Sequence, residues 1–542
     1  MSGLTNDDFD NFEITARHNS QNDEGGAGKV TKNLLKLAKE NAMFFRDQFG
    51  QDYAFIDIKG HHESVKLRSR DFKDFLLGLY FQKYNKPVSS SPVTTVIDHC
   101  SSESFMSGKK FELHNRICSD GNSIFYDIGN ENWEVVEINK SGSHVISPAA
   151  PMFVRYDGIE EQIFERGGEG NLDKFLSMWG LNENELMVNK VWIVSAFIPT
   201  IPHAISIKYG PEGSAKSTLD RCIRKTIDPN VKGTVSLPKN KNELPQMLQH
   251  NYSAPFDNVT YLDDEYSDML CRASTGEGLS KRMLYSDEED IIFKYRRFIS
   301  INGINNVANN PDLLSRCLLL YCEPISDTQR KTEEDLMMHF EELRPKIVAE
   351  CFDVVSRAMS IYPTLELKEL TRMADFAKWG EAIARSMGYE PLKFINILQK
   401  KLAELQVNAV SISPVGNALT HFLGQKQKVD NTLTTEWIGT TTDLLNVLEQ
   451  QQGYDVKDKK KPKGWPGNAN ALSRELGKLT ISLQKVGIKV DRKYERTGSA
   501  LLIKIEKITA PDGHVPLGEF SNDKTQENEK LHEEEPAGDE NW

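Results

Sequence analysis

The chain has 542 residues, enough for about three to five structural units, and its 39% hydrophobic and 27% charged residues are typical of a soluble globular protein. No apolar run approaches the roughly 18 residues of a membrane helix, and no secretory signal opens the sequence, so we expect a cytoplasmic protein without a membrane partner. The seven cysteines form no Cys-x-x-Cys pair and no cluster with zinc spacing, which argues against a disulfide framework and a zinc site.

The net charge of −13 is concentrated at the two ends of the chain. Residues 1–28 hold six acids and one arginine, and residues 508–542 hold ten acids and two lysines. These polar, acidic stretches predict a disordered arm at 1–28 and a disordered tail at 508–542. Because the remaining body carries no net charge, the acidic total does not exclude a nucleic-acid partner.

Residues 29–165 mix helical and strand-like patterns and predict an N-terminal α+β domain without a diagnostic motif. A helix is predicted at Asn33–Phe49, and strands are predicted at Asp52–Ile58 and Ser123–Ile128. The glycine-rich run around residue 168 marks a linker, after which a helix is predicted at Glu183–Phe197.

Residues 183–325 alternate strands and helices in the manner of a parallel α/β sheet, and they contain the strongest motif. An apolar strand, His203–Tyr209, leads directly into a Walker A loop, or P-loop, formed by Gly210, Pro211, Glu212, Gly213, Ser214, Ala215, Lys216, Ser217 and Thr218. The backbone N–H groups of such a loop cradle phosphates, while its lysine reaches the β- and γ-phosphates and its serine ligates Mg²⁺. We therefore expect ATP and Mg²⁺ as cofactors, although Ala215 stands where the motif usually has glycine.

An acidic run further along the chain is typical of a Walker B element. A strand is predicted at Val259–Leu262, and Asp263, Asp264 and Glu265 follow it. In this interpretation Asp263 holds Mg²⁺. The choice between Asp264 and Glu265 as the group that polarises the attacking water stays open.

Two more residues are predicted to act on the nucleotide. The strand Arg297–Gly303 carries Asn302 near its end, where a sensor 1 asparagine would contact the γ-phosphate. Arg316 ends a short helix before another apolar strand and is a candidate arginine finger that reaches the nucleotide of a neighbouring subunit. A local salt bridge is the alternative interpretation for Arg316.

Basic residues between the Walker B and sensor 1 segments predict a contact with nucleic acid. Two apolar-basic segments flank an acidic turn and indicate a hairpin that carries Lys281, Arg282 and Tyr285. In a ring pore the two cations would bind phosphates and the tyrosine would stack on a base. An exposed charged hairpin without this role is the alternative.

The C-terminal half predicts a helical region at 326–430, with amphipathic stretches at Glu333–Met359 and Arg372–Leu405. Residues 437–507 carry fourteen Lys and Arg against eight Asp and Glu, and helices followed by a hairpin predict a winged helix that binds DNA. Its candidate phosphate contacts are Lys459, Lys460, Lys461, Arg474, Lys478 and Arg496. A solvated basic face is the alternative.

The P-loop, the segment Leu270–Gly276, the strand Phe298–Gly303 and the helix Asn310–Arg316 together resemble phage- and plasmid-type P-loop ATPases. These AAA+ proteins are related to superfamily III helicases and to the helicase part of viral primase-helicases. The resemblance implies a nucleotide-gated homo-oligomeric ring, usually hexameric, that moves on or remodels DNA during replication of a mobile element. A separate primase or replication protein would be a further partner.

The sequence therefore predicts an α/β protein with an AAA+-like P-loop core, an N-terminal α+β domain, a helical region and a C-terminal winged helix. Its predicted function is that of an ATP-hydrolysing, helicase-like motor on DNA. Two alternatives stay open: a DNA-dependent ATPase switch or loader that separates no strands, and a nucleotide-dependent protein remodeller. Primase activity is not predicted, because the N-terminal domain lacks paired carboxylates with an adjacent histidine.

Overall fold

The structure is a computed structural model that describes residues 26–282, 290–308, 310–325, 332–367, 371–423, 434–454, 460–462, 464–497 and 500–508. It divides into two compact units. Unit 1 comprises the described residues up to 113 together with 148–154, and unit 2 comprises 114–147 and the described residues from 155 onward. Most of the predicted acidic arm and tail lies outside the described residues.

Unit 1 is a small α+β structure built on a three-stranded antiparallel sheet of order β1-β2-β3. Its elements are α1 (Gly26–Asn41), β1 (Ala42–Arg46), β2 (Asp52–Ile58), β3 (His61–Lys66), α2 (Arg70–Tyr84) and α3 (Ser90–Ser107). The strand predicted at Asp52–Ile58 is confirmed. The helix predicted at Asn33–Phe49 is wrong in its second half, because residues 42–46 pair with β2 instead of continuing α1.

Unit 2 begins with an antiparallel meander that the sequence assigns to the N-terminal domain of 29–165. Its strands are β4 (Ile117–Ser119), β5 (Ile124–Asp127), β6 (Val135–Asn139) and β7 (Gly142–Ile146), and they pair in chain order. The Arg116 guanidinium attaches this meander to the following core: it is fully buried, and its Nε lies 2.9 Å from Oδ1 of the buried Asp228. Asp228 in turn accepts the backbone N–H groups of Tyr252 and Ser253.

The centre of unit 2 is a four-stranded parallel sheet, which confirms the predicted α/β class. Its strands are β8 (Ile205–Tyr209), β9 (Ser253–Phe256), β12 (Phe298–Gly303) and β13 (Cys317–Tyr321), in the order β13-β8-β12-β9. The other elements of this region are α4 (Asn171–Ser177), α5 (Glu183–Ser195), α6 (Lys216–Ile227), α7 (Leu244–His250), α8 (Asp264–Thr275), the hairpin strands β10 (Leu279–Arg282) and β11 (Asp290–Phe293), and α9 (Pro311–Leu314). The strands carry near-continuous buried runs, as expected for a parallel sheet covered on both faces.

The remainder of unit 2 is mainly helical. It comprises α10 (Glu333–Ile361), α11 (Ala374–Ser386), α12 (Lys393–Ile412), α13 (Pro414–Phe422), β14 (Glu436–Thr440), α14 (Thr441–Gln452), α15 (Ala469–Lys485), β15 (Ile488–Thr497) and β16 (Ala500–Lys507). The last three strands form an antiparallel sheet of order β14-β16-β15. Helices α14 and α15 precede the β15–β16 hairpin, in the order predicted for a winged helix. In the part of the chain that the structure describes, no helix is long and apolar enough to cross a bilayer.

His203 gives the core of unit 2 a dependence on pH. The imidazole is fully buried, its Nε2 lies 3.3 Å from the Tyr252 hydroxyl, and its ring packs edge-on against Phe298. Burial, with the positive charges of Arg296 and Arg297 nearby, lowers the pKa of His203 to about 3. Below pH 6.5 the unfolded chain therefore binds a proton that the folded chain does not bind. The free energy of unfolding decreases as the pH is lowered.

We expect the free energy of unfolding of the native chain to fall by about 1 kcal/mol between pH 6.5 and 5.5 through this residue alone. The His203→Phe variant keeps the aromatic packing and removes the titration, so its stability should decline less over this interval. Urea denaturation at a series of pH values measures the difference. If the free energy of unfolding changes with pH in the same way in both proteins, His203 is not the group that causes the loss of stability.

Candidate nucleotide-binding site

The predicted P-loop lies where a phosphate-binding loop requires it, between the carboxyl end of β8 and the N-terminus of α6. The Lys216 ammonium donates hydrogen bonds to the carbonyl oxygens of Gly210 and Pro211, at 2.8 and 2.7 Å, and to Ser214 Oγ at 2.9 Å. Gly210 has a φ of +147°, and a Cβ on it would lie 2.2 Å from the Cys322 carbonyl oxygen. Only glycine therefore fits at the start of the loop.

Ala215 adopts the left-handed conformation that the motif normally assigns to glycine. Its φ and ψ are +52° and +28° at the N-cap of α6. An L-residue in this region costs about 1 kcal/mol, and the surrounding loop holds Ala215 there. Its carbonyl oxygen accepts hydrogen bonds from the Leu219 backbone N–H at 3.0 Å and from the Trp179 indole at 3.3 Å. The departure from glycine leaves the loop geometry intact.

Asp257, which the sequence analysis missed, is a carboxylate that contacts the serine of the P-loop. Ser217 Oγ donates to Asp257 Oδ1 at 2.7 Å. Asp257 directly follows β9, the strand that pairs with β12, so it lies at the carboxyl edge of the sheet. The strand predicted at Val259–Leu262 is wrong, because the structure places that strand at Ser253–Phe256.

The three acids predicted as Walker B residues make other contacts. Asp263 caps α8 by accepting the Tyr266 N–H at 2.9 Å, and its Oδ2 lies 2.7 Å from the Lys241 ammonium. This ammonium lowers the pKa of Asp263 and also pairs with Glu265 at 2.6 Å. The three groups form a partly exposed ion-pair cluster at the start of α8.

Asp264 contacts the C-terminal part of unit 2. Its Oδ2 lies 2.9 Å from the Lys478 ammonium on α15, and its Oδ1 accepts the Asn310 side-chain amide at 3.2 Å. The hydrogen bond from Lys478 is the main reason that the pKa of Asp264 is lowered. The sequence predicts a DNA contact for Lys478 and a catalytic role for Asp264. In the structure these two side chains form an ion pair with each other.

Asn302 lies at the end of β12 as predicted, but its side chain is buried and both ends of its amide are engaged. Nδ2 donates to Asp220 Oδ2 at 2.8 Å, and Oδ1 accepts the Asn258 backbone N–H at 3.0 Å. Asp220 also pairs with the Lys208 ammonium at 2.8 Å and accepts a hydrogen bond from Ser300 at 2.6 Å. We call Lys208, Asp220, Ser300 and Asn302 the buried polar network; each of its members is at most 4% exposed.

Arg316 makes the local salt bridge that was the alternative to an arginine finger. Its guanidinium pairs with Asp312 of the preceding helix α9 and donates to the Asp312 carbonyl oxygen at 3.1 Å. The same carboxylate pairs with Arg372, whose Nη1 donates to Ser315 Oγ at 3.0 Å. Of the two guanidinium groups, that of Arg372 is the more exposed, at 53% against 15%.

The predicted DNA contacts lie in two places. Lys281 and Arg282 are on β10, in register with Ile291 and Asp290 of β11, so the expected hairpin is present. The turn with Tyr285 lies outside the described residues, as does Lys459. Among the other candidates, Lys461 pairs with Glu449 and Lys478 pairs with Asp264, while Lys460, Arg474 and Arg496 are exposed.

Two consecutive stretches of the chain match known protein families. Residues 172–400 match the actinomycete integrative conjugative element replication protein, RepA, and residues 415–522 match the C-terminal domain of RepA. The first stretch contains the P-loop, Asp257 and Asn302, and the second contains α14, α15 and the β15–β16 hairpin. These matches confirm the predicted resemblance to replication ATPases of mobile elements.

Solved structures show weaker likenesses. The SCCmec type IV Cch active helicase is 12% identical with a TM-score of 0.44, covering 86% of this chain and 93% of that chain. The apo C-terminal region of NrS-1 is 11% identical with a TM-score of 0.40, covering 90% of this chain and 100% of that chain. Scores this low carry no argument about this chain. Among curated proteins none matches it.

The contacts within the buried polar network predict that substitutions of Asp220 and Lys208 have coupled effects on the free energy of unfolding. The Asp220→Asn variant leaves the Lys208 ammonium buried without a counter-charge, so we expect a loss of about 3–5 kcal/mol in the free energy of unfolding. The Lys208→Met change made in the same chain removes that charge, and the double variant should be more stable than Asp220→Asn alone. A double-mutant cycle by urea denaturation measures the coupling. If the two single losses in the free energy of unfolding simply add in the double variant, the coupling is contradicted.

Proposed function

Because the chain belongs, over residues 172–400 and 415–522, to the replication-protein family of actinomycete integrative conjugative elements, we propose that it is an ATP-hydrolysing motor. In this proposal the motor acts on DNA as an oligomeric ring during replication of the element. ATP and Mg²⁺ are its cofactors, and DNA and further copies of the chain are its partners. The contact between Ser217 and Asp257 is the observation that carries the proposal.

The residues at the end of β8 and β9 fit a magnesium–nucleotide complex. Ser217 and Asp257 present two oxygen ligands 2.7 Å apart, and oxygen is the ligand that Mg²⁺ prefers. Lys216 and the backbone N–H groups at the start of α6 would hold the phosphates. A bound Mg²⁺ would neutralise charge that develops on the transferred phosphoryl group.

Asn302 supports this site by positioning the loop after Asp257. Its side-chain oxygen accepts the Asn258 N–H, and its backbone oxygen accepts the Val259 N–H at 2.9 Å. Asp220, one turn along α6 from Lys216, fixes the other end of the Asn302 amide. The P-loop helix and the loop that carries Asp257 are thus held by one buried carboxylate. In this proposal Asn302 is a positioning residue.

The oligomeric ring requires a cation that reaches the neighbouring nucleotide. Arg316 and Arg372 converge on Asp312, and Arg372 is the more exposed of the two. In a ring, release of either guanidinium from Asp312 would supply positive charge to the transition state of the next subunit. The proposal therefore assigns the arginine-finger role to this pair rather than to Arg316 alone.

A second candidate function, a DNA-responsive ATPase switch, is favoured by the ion pair between Lys478 and Asp264. Lys478 lies on α15, the helix proposed to contact DNA, and Asp264 lies at the start of α8. A DNA phosphate and Asp264 would compete for the same ammonium, so DNA binding would release α8 from α15. Such a protein would change its ATPase rate on DNA without separating strands.

The Asp257→Asn variant tests the proposed metal ligand. It keeps the shape of the side chain but removes its charge, so we expect steady-state ATP hydrolysis to fall by about a hundredfold, since a metal contact contributes several kcal/mol to the transition state. Asp263→Asn is the matched control, because it alters the neighbouring acidic cluster. It should retain turnover and nearly all of the stability, because the asparagine side-chain oxygen can still accept the Tyr266 N–H and cap α8.

Lys216→Ala provides the inactive reference for the same assay. Loss of turnover in Asp263→Asn but not in Asp257→Asn would restore the acidic run as the metal site. If the native chain hydrolyses ATP no faster than the Lys216→Ala variant, the ATPase proposal is refuted. Rates with and without single-stranded DNA then separate a DNA-dependent enzyme from a protein remodeller, which would be indifferent to DNA.

Charge reversal on the β10–β11 hairpin distinguishes the motor from the switch. The double variant Lys281→Glu and Arg282→Glu should abolish ATP-driven strand separation, because phosphates would meet negative charge in the pore, while hydrolysis without DNA persists. Lys174→Glu with Lys232→Glu changes the total charge equally at exposed positions elsewhere and should leave unwinding intact. Strand separation that survives the hairpin change would refute the pore contact. A native chain that never separates strands supports the switch.

A further inference from the structure

The helix that follows the P-loop begins from a residue in a strained conformation. Ala215, with φ +52° and ψ +28°, is the N-cap of α6, and its methyl side chain forms no cap hydrogen bond. In the left-handed region an L-residue is less stable than in the right-handed helical region, whereas glycine occupies both readily. Strained backbone persists only where surrounding contacts hold it in place. The conformation of Ala215 therefore depends on contacts from its neighbours.

The Trp179 indole supplies one such contact from outside the P-loop. Its Nε1 donates a hydrogen bond to the Ala215 carbonyl oxygen at 3.3 Å, and the Leu219 backbone N–H donates to the same oxygen at 3.0 Å. Both hydrogen bonds require the present orientation of the peptide group that follows Ala215. If Ala215 relaxed to a right-handed conformation, this peptide group would rotate and both donors would lose their acceptor.

Aromatic packing holds the indole in place. The Trp179 ring meets Phe175, four residues earlier on α4, in an edge-on contact with ring centres 5.2 Å apart. Phe175 is fully buried, and its ring centre lies 5.3 Å from that of Phe340 on α10. Because the indole is already fixed by this packing, it loses little side-chain entropy when it forms its hydrogen bond.

A buried carboxylate on α10 fixes the other end of α4. The two carboxylate oxygens of Glu350 accept the N–H groups of Gly170, Asn171 and Leu172 at 3.1, 2.7 and 3.2 Å. The first N–H groups of a helix have no acceptor within it, so Glu350 both satisfies them and attaches α4 to α10. Trp179 therefore approaches the P-loop from a segment that α10 holds at both ends.

We propose that Trp179 is a positioning residue of the P-loop, whose indole N–H holds Ala215 in the left-handed conformation that glycine adopts without strain. This inference rests on the proposed function, because it assigns the readiness of the loop for a nucleotide to this contact. With the contact in place, phosphates meet backbone N–H groups that are already oriented toward them. Without it, only a fraction of the molecules is competent to bind, and the apparent affinity falls by that fraction.

Backbone amide exchange in the nucleotide-free chain tests the positioning role directly. Trp179→Phe keeps an aromatic ring against Phe175 and removes the indole donor. We expect exchange of the Leu219 N–H, followed by mass spectrometry, to become about fivefold faster, the factor that corresponds to one ordinary hydrogen bond. Trp379→Phe is the matched control and should leave this rate unchanged, since Trp379 packs at the edge of the same core and stacks on Tyr362 at 4.2 Å.

The Ala215→Gly background distinguishes relief of strain from ordinary packing. Glycine populates the left-handed region readily, so in this background Trp179→Phe should change the Leu219 exchange rate by less than about twofold. An indole that only packed against the loop would change the rate by the same factor in both backgrounds. Equal factors, or no change in the native background, overturn the proposal.

Binding and turnover of ATP test the consequence for the nucleotide site. Titration with methylanthraniloyl-ATP and Mg²⁺ should show about fivefold weaker binding by Trp179→Phe, since a smaller fraction of the loop is competent. The KM for ATP should rise while kcat is retained, because the loop with bound nucleotide is the same in both proteins. The Ala215→Gly background should again reduce these factors. A lower kcat with an unchanged KM would contradict a positioning role.

The two readouts separate this inference from the proposed function. If the exchange rates follow the expected pattern while the native chain binds no nucleotide, the proposed function fails and Trp179 still positions the loop. If the native chain binds and hydrolyses ATP while Trp179→Phe exchanges the Leu219 N–H at the native rate, the positioning role fails and the ATPase proposal stands.

Discussion

The ion pair between Lys208 and Asp220 is the constraint on which the candidate site depends. A buried ammonium and a buried carboxylate are costly to desolvate, and they persist only when each has partners of suitable geometry. Here Asp220 accepts from Ser300 and Asn302 in addition to Lys208, so all its contacts tie α6 to strands β8 and β12. The helix that begins with the P-loop is therefore fixed in register with the sheet. The candidate site at the start of α6 is therefore built on that register.

The buried polar network also connects two aspartates, Asp220 and Asp257, that have different surroundings at the candidate site. Asp220 is buried below the helix and acts on structure, whereas Asp257 lies at the edge of the sheet beside Ser217. Asn302 links them, since one end of its amide contacts Asp220 and the other holds the backbone that follows Asp257. An asparagine meets this need because its amide offers a donor at one end and an acceptor at the other.

The P-loop and the strand Asp52–Ile58 could be predicted from sequence because local chemistry determines them. Strand β9 could not, because Ser253–Phe256 is a short segment that contains Pro255, and the acidic run after Leu262 is the more conspicuous signal. β9 is the last strand of the order β13-β8-β12-β9, and a sheet edge tolerates a proline that has no N–H to donate. Only the tertiary position of Pro255 makes this segment a strand. The end of α1 was missed for a similar reason: residues 42–46 leave the helix to pair with β2, a contact that no local pattern contains.

Charge in this chain has to be considered by position rather than by total. The overall net charge is −13, yet the two terminal stretches account for all of it, while unit 1 and residues 437–507 are locally basic. Screening limits the interaction of exposed charges to about 10 Å at ordinary ionic strength, so distant acids do not cancel a local row of lysines. The ion pairs then decide which cations remain available: Lys478 and Lys461 are bound to carboxylates within the chain, whereas Lys29 and Lys32 are not among the ion-paired side chains of the described residues. Local charge density therefore indicates candidate surfaces, and the ion pairs of the folded chain show which cations on them already have a carboxylate partner.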